Sequence, residues 1–364
     1  MKSAFITDWL EKYGGAERVV TAINEIYQFD YYYAYVNKMD FDTQVLTLGG
    51  RDVDVTESVM LSLFKYKFRI FFPFFPWIVK RFNYQTKDNK VDFIISSSWA
   101  LSKGYRIGNE KHICYLQARN FKYVWDEADL YFTGIIKLFS FVKPLLQQFD
   151  LNSAQNPDYL IANSNFVRDW VKRKYNRDAV VIYPPVDIEC FDIAENKEDF
   201  FVIVGRIEPY KRFDIVVEAF NTNGKPLIVI GDGSQLKYLK SIAKSNIKFL
   251  GFQKKDVIKE HVSKARAFVY AGIEDFGIAL VEAHACGTPV IAYQGGATSE
   301  IITAINGLCY SEQTAESLNK MVTQFDKIEH NYRSEEIRKS SFKFSKERFK
   351  LEFKQYIDNI VLAE

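Results

Sequence analysis

The sequence predicts an α/β protein made of two Rossmann-like, doubly wound domains. Three observations lead there. The chain has 364 residues, enough for two domains with separate cores. Short apolar runs alternate with stretches of helical periodicity in both halves. Those runs close on glycine, serine or charged residues, where the sites of open parallel sheets lie.

Composition narrows the functional classes. Hydrophobic residues make up 48% of the chain, and the formal net charge of +2 argues against a nucleic-acid binder driven by bulk charge. Cys114, Cys190, Cys286 and Cys309 show no CxxC spacing and read as buried thiols of a cytosolic protein. The histidines form no HExxH or clustered set, so no metal site is expected. The first residues, MKSAFITDWLEKYGGAERVV, carry early acids and no cleavable apolar run, so no signal peptide is expected. No apolar stretch reaches the roughly eighteen residues of a membrane-spanning helix.

Ser3 to Ile6 reads as a first strand, and a helix follows from about Ala16 to Tyr27. Gly14 and Gly15 stand between them, where a glycine pair gives either a turn or a close backbone approach to an anion. The pair is not GxGxxG, which argues against a dinucleotide fold. Asp52-Val53-Asp54 reads as a solvated loop, not a metal-binding triplet.

Ser58 to Lys87 holds many aromatic and aliphatic residues, interleaved with Lys65, Lys67, Arg69, Lys80 and Arg81, and no acid. Pro73 and Pro76 exclude a single long helix. Two readings stay open: core aromatics with a basic rim, or a patch resting on anionic lipid. A second acid-free stretch, Tyr131 to Phe149 with Lys137 and Lys143, points the same way.

Val91 to Ser97 and Lys111 to Leu116 read as buried strands. Gln117 and Arg119 follow the second of these and are placed to meet substrate. His112 reads as a packed core histidine. A strand at Tyr159 to Ala162 leads through the N-cap Ser164 into a helix. Pro184-Pro185 stiffens a connection and marks the domain boundary, giving domains of 1–185 and 186–345.

The second domain opens on a strand from Phe200 to Val204, followed by GRIEPYKRFD. Arg206 at the strand end and Lys211 in the next turn can converge on one diphosphate. Strands follow at Pro226 to Ile230, Ile247 to Leu250 and Ala267 to Tyr270. The last leads into EDFGIALVEAHACG, Glu274 to Gly287, and a strand at Val290 to Tyr293 closes the unit. Glu274 stands just before a helix that starts near Gly277, and Glu282 lies within it. Gly277 allows a ligand to approach the helix N-terminus, which favours negative charge. Two carboxylates beside that start can accept hydrogen bonds from sugar hydroxyls.

EDFGIALVEAHACGTPVIA resembles the donor-site signature of family 4 retaining glycosyltransferases, which have the two-domain GT-B fold. GRIEPYKRFD resembles their donor-diphosphate motif. The resemblance implies two facing domains with a cleft between them, and a terminal helix, 346–364, that packs back on the first domain. It implies a nucleoside diphosphate sugar as co-substrate and no metal or other cofactor. Arg206 and Lys211 would meet the diphosphate, and Glu282 the ribose. Glu274, with Asp275, Phe276, Gly277 and Ile278, would hold the hexose. Gly15 would see phosphate, and Gly14, Gln117 and Arg119 are acceptor-side candidates. Gln117 stands where relatives commonly have histidine. The first-domain pattern, GGAER through HICY, FKYVWD, IANSNFVRDW and YPPVD, is most similar to bacterial mannosyltransferases of O-antigen assembly. GDP-mannose is therefore the first donor expected and a UDP-hexose the second. The acceptor would be a lipid-linked oligosaccharide or polysaccharide, reached from the cytoplasmic face of the cell membrane through peripheral contact with anionic lipid. The alternatives are an epimerase or phosphorylase on the same fold, or a non-catalytic scaffold at the membrane.

Overall fold

A computed structural model describes residues 1–128 and 140–362. Lys137 and most of the acid-free stretch before residue 140 lie outside the described residues. The chain divides into two compact units, Met1–Pro185 with Phe349–Glu364, and Val186–Arg348.

The first unit holds a seven-stranded sheet. Its strands are β1 (Ser3–Leu10), β2 (Tyr31–Asn37), β3 (Val55–Glu57), β4 (Phe93–Ser98), β5 (Lys111–Leu116), β6 (Tyr159–Ala162) and β7 (Val180–Val181). They run in the order β3-β2-β1-β4-β5-β6-β7, every pair parallel. Parallel strands need crossovers, and the helices that supply them cover both faces. One face packs Tyr33, Tyr35, Phe68, Phe75, Ile78 and Phe82. The other packs Phe5, Val19, Ile23 and Ile95 beneath the terminal helix Lys346–Leu362, which inserts Phe349, Phe353, Ile357 and Ile360. Those four recur at helical spacing, so one stripe of that helix is apolar.

The structure extends or adds several strands. β1 runs on to Leu10, because the polar Asp8 within it is fully buried and satisfied. Its Oδ2 accepts from the N–H groups of Trp99 and Ala100, both at 2.6 Å, and its Oδ1 from those of Leu101 (2.9 Å) and Ser102 (2.5 Å). Burial pushes the Asp8 carboxyl up, and the loop amides offset only part of that rise. β2, the sequence YYYAYVN, is buried almost throughout. β3 forms an edge within a stretch read as solvated loop, although Asp52 and Asp54 themselves are exposed. Pro73 and Pro76 divide the aromatic segment into a 3-10 helix, Phe68–Phe74, and an α-helix, Phe75–Gln85, with Pro76 tolerated in its first turn.

The second unit holds a six-stranded sheet of β8 (Phe201–Val204), β9 (Leu227–Ile230), β10 (Ile247–Gly251), β11 (Ala267–Tyr270), β12 (Val290–Tyr293) and β13 (Gly307–Tyr310). The order is β10-β9-β8-β11-β12-β13, again parallel throughout. Strand order reverses between β8 and β11, so the crevice beyond their carboxyl ends is the place where such a sheet takes a ligand.

Candidate functional site

Both halves of the expected constellation leave the sheet at that reversal. The loop after β8 carries Arg206 and Lys211, and the loop after β11 carries Glu274. Glycines let the loops close on each other. Gly231 has φ +143°, and a Cβ there would lie 1.9 Å from the Gly205 carbonyl oxygen. A Cβ on Gly272 would lie 2.7 Å from the Tyr270 hydroxyl and 3.1 Å from the Lys211 Cα.

Lys211 Nζ and the Tyr270 hydroxyl both donate to Glu274 Oε1. Among the described residues none donates to Oε2. One carboxylate oxygen is thus fixed by two donors, and the other remains to accept from a hydroxyl. Burial, then the neighbouring Glu274 carboxylate, pushes the Tyr270 hydroxyl well above its ordinary value, so it stays protonated and donates. Arg206 is exposed and donates to the Tyr210 hydroxyl at 2.8 Å. The Lys211 ammonium lies 5.5 Å from the Tyr210 ring centroid and 5.6 Å from that of Tyr270. Tyr210 therefore bridges the two cations.

Beyond Glu274, Asp275 and Phe276 are buried, and Phe276 packs edge-on against Phe344 with centroids 5.3 Å apart. Gly277 then caps the helix Ile278–Ala285 at φ +107°, a left-handed conformation that favours glycine. No side chain caps this helix. Its first N–H groups therefore point towards whatever lies at its start. The half-buried positions are Ile278, Ala279 and Glu282, one stripe along the helix. Glu282 thus shares a face with the helix start, one turn further in. The Glu274 loop is pinned from β12's end: the Ala297 N–H donates to the Glu274 carbonyl at 2.8 Å, and Gly296 adopts φ +71° against it.

Sequence reasoning missed Tyr270 and Tyr210 as parts of this site. Tyr270 was visible as the last residue of a strand four positions before Glu274; Tyr210 sits inside the cationic motif itself. Arg212, next to Lys211, has φ +54° and folds back onto Asp214, with Nη2 2.9 Å from Oδ2.

The first-unit candidates fall into two groups. Gly14 and Gly15 lie at the start of the helix Gly15–Ile26, which no side chain caps. Gln117 follows β5, and its amide donates to the Ala16 carbonyl (3.3 Å) and the Ser97 hydroxyl (2.8 Å). Gln117 thus ties the glycine turn to the end of the sheet. Arg119 has other partners. Its guanidinium is buried and paired with Asp126 at 3.3 Å and Glu127 at 3.1 Å. The expectation that Arg119 meets substrate therefore competes with two carboxylates already in place.

Two histidines are fully buried. His112 Nε2 lies 2.7 Å from Ser96 Oγ, and His284, on the site helix, has Nε2 3.1 Å from the Asn306 carbonyl oxygen. Burial holds both imidazoles down to about 3 from an ordinary 6.5. The unfolded chain takes these protons near pH 6.5 and the folded one not until about pH 3. Stability present above pH 6.5 is therefore lost as pH falls through that window. At pH 5 the expected loss is about 2 kcal/mol per histidine relative to pH 7. Denaturant melts at the two pH values check this, and a shallower pH slope in His284→Gln isolates one residue's share.

Residues 189–341 match the family model for glycosyl transferases group 1. The matched stretch lies within the second unit. Over 191 residues the chain is 30% identical to an uncharacterised glycosyltransferase of Methanocaldococcus jannaschii, covering 51% of this chain and 52% of that protein. It is 29% identical over 184 residues to the O-antigen chain mannosyltransferase RfbU of Salmonella typhimurium, covering 47% of this chain and 52% of the relative. The chain thus spans about half the length of these curated relatives. HepE of Anabaena, solved in complex with UDP, overlays 99% of this chain and 100% of its own at a TM-score of 0.73 and 17% identity. That overlay, with the two parallel doubly wound sheets, gives the GT-B fold. The matched stretch contains every second-unit candidate, from Arg206 to Glu282.

Proposed function

We propose that this protein is a retaining, metal-independent family 4 glycosyltransferase that moves a hexose from a nucleoside diphosphate sugar to a lipid-linked or polysaccharide acceptor. The pathway proposed is bacterial surface polysaccharide assembly, O-antigen or capsule, and the first donor is GDP-mannose. The observation that carries the reading is the Glu274 carboxylate in a group 1 domain, fixed on one oxygen by Lys211 and Tyr270 and open on the other. The name of the Salmonella relative favours mannose.

In this reading Arg206 and Lys211 offset the charge of the leaving diphosphate, aided by the uncapped helix start at Ile278. Lys211 already touches Glu274, so diphosphate and hexose would bind side by side. Glu274 Oε2 accepts from a hexose hydroxyl, and the backbone from Asp275 to Ile278 lines the same sugar. Glu282 accepts from the ribose. Neither glutamate is assigned as a covalent nucleophile; the leaving phosphate takes the acceptor proton on the face it departs from. Acceptor recognition is assigned to the first unit, where Gly14, Gly15 and Gln117 converge. The protein works at the cytoplasmic surface of the membrane through peripheral contact. Among the described residues no helix is long and apolar enough to cross a membrane.

The test is a thermal-shift and turnover panel with GDP, UDP, TDP and their sugars, with and without a chelator. A nucleotide at about a hundred times its Kd should stabilise the protein by about 2.7 kcal/mol. Nucleoside diphosphate release should continue in excess chelator. Absence of both a shift and release with every donor would overturn the reading, and a chelator-sensitive rate would remove its metal independence.

A further inference from the structure

The segment from Ser58 to Lys87 divides its aromatic residues between two destinations. Phe68, Phe75, Ile78, Val79 and Phe82 enter the first unit's core. Others do not: Tyr66 is 88% exposed, Leu63 75%, Ile70 67%, and Phe74 and Trp77 are both more than half exposed. Isolated exposed apolar residues need no explanation, but a cluster along one short stretch does.

The helix Phe75–Gln85 shows how the division arises. Its core face carries Phe75, Ile78, Val79 and Phe82. Its outward positions are Trp77, Lys80, Arg81 and Tyr84, spaced to form one stripe. Aromatic rings stand at both ends of the stripe with two cations between them. The Arg81 guanidinium lies 5.6 Å from the Tyr84 ring centroid and the Lys87 ammonium 4.0 Å from it. Tryptophan and tyrosine beside lysine and arginine suit a boundary that is apolar on one side and polar and anionic on the other.

Charge identifies the occupant. No acid occurs from Ser58 to Lys87. Of the carboxylates near the segment, Glu57 is used by Lys65 at 3.1 Å and Glu11 by Lys38 and Arg69, and Asp88 lies exposed just beyond its end. Among the described residues Lys67, Lys80, Arg81 and Lys87 form no ion pair. A second copy of this face would bring like charges together. An anionic bilayer offers complementary charge and takes up the exposed rings.

We propose that this face, formed by the outward stripe of Phe75–Gln85 and the exposed Leu63, Tyr66, Ile70 and Phe74 before it, docks the protein onto anionic lipid. Trp77 and Phe74 enter the headgroup boundary, and Lys67, Lys80 and Arg81 meet lipid phosphates. The proposal specifies the surface behind the peripheral contact proposed above and rests on that reading for its biological setting. Its physical content does not depend on donor chemistry.

The test is flotation of the purified full chain with vesicles of phosphatidylcholine alone and with about a third phosphatidylglycerol. Expected is binding to the anionic vesicles only, weakened by salt. Lys80→Glu with Arg81→Glu should lower partitioning by at least tenfold, given roughly fivefold per cation removed. Trp77→Ala should lower it without changing the salt dependence, and Trp77→Phe should restore part of it. All three positions are exposed, so Tm and the nucleotide-induced thermal shift should stay unchanged. No binding to anionic vesicles, or binding that ignores these substitutions, would overturn the proposal. Loss of a dimer in the same variants, without vesicle binding, would assign the face to a second copy instead. Intact vesicle binding with no response to any nucleotide would sink the transferase reading and leave the docking surface standing.

Discussion

Arg206→Ala is expected to reduce kcat/KM for donor turnover by a factor on the order of 10²–10³ with little change in Tm, and Glu282→Ala to do the same. The stability half follows from position. Arg206 is exposed and bonded to Tyr210, and Glu282 lies on the half-buried stripe of Ile278–Ala285, outside the core that Leu280, Val281, Ala283 and His284 build. The activity half follows from charge. In the proposed reaction the departing diphosphate gains negative charge as the sugar bond breaks, and a preoriented guanidinium stabilises that state more than the ground state. Nucleoside diphosphate release, measured beside circular dichroism and Tm, reads both halves. Wild-type turnover in either variant would remove the proposed donor grip. Glu274→Gln is a sharper probe: it keeps an acceptor oxygen but loses the charge that Lys211 faces.

Asp150→Ala is expected to destabilise the first unit by about 3–5 kcal/mol. Asp150 and Lys103 are both fully buried, 2.6 Å apart. Lys103 also donates to the Ala100 carbonyl at 2.6 Å and to Asn120 Oδ1 at 3.0 Å. Asp150 accepts from Trp125 Nε1 at 2.8 Å and from the Tyr175 hydroxyl at 2.7 Å. Removing the aspartate leaves an ammonium in the core with only neutral acceptors, and leaves two further donors without their partner. Replacing both charges, as in Lys103→Met with Asp150→Leu, should recover most of the loss, because the pair's attraction only repays its desolvation. Denaturant melts of the two singles and the double decide it. A single-variant cost below about 1 kcal/mol would show that water reaches the pair.

This network also bears on why the two sheets differ at their reversals. In the first unit the amides after β4, from Trp99 to Ser102, are occupied by Asp8 from within the same unit. In the second, no side chain caps the helix start at Gly277, and of the cations after β8 Lys211 pairs with Glu274 while Arg206 donates to the neutral Tyr210 hydroxyl. The protein's own carboxylate closes one loop, and the other keeps an exposed guanidinium and an uncapped helix start.

The sequence alone was enough for the α/β class, for most strands, and for placing Arg206 and Glu274 in the loops that follow β8 and β11. The reason is local: a buried parallel strand is a short apolar run, and a ligand loop begins where that run stops. YYYAYVN escaped because tyrosine suits a surface as well as a core, and only its neighbours on both faces decided between them. β3 and β13 are short and carry little pattern of their own. The partnerships were out of reach for another reason. Lys211 and Glu274 stand 63 positions apart and touch only because β8 and β11 are neighbours in the sheet. Asp8 in mid-strand and Lys103 in a core read as polar interruptions until the structure supplies the amides and carboxylate that satisfy them. Whether a buried charge is tolerated depends on what other elements bring to it, and that is a property of the folded chain.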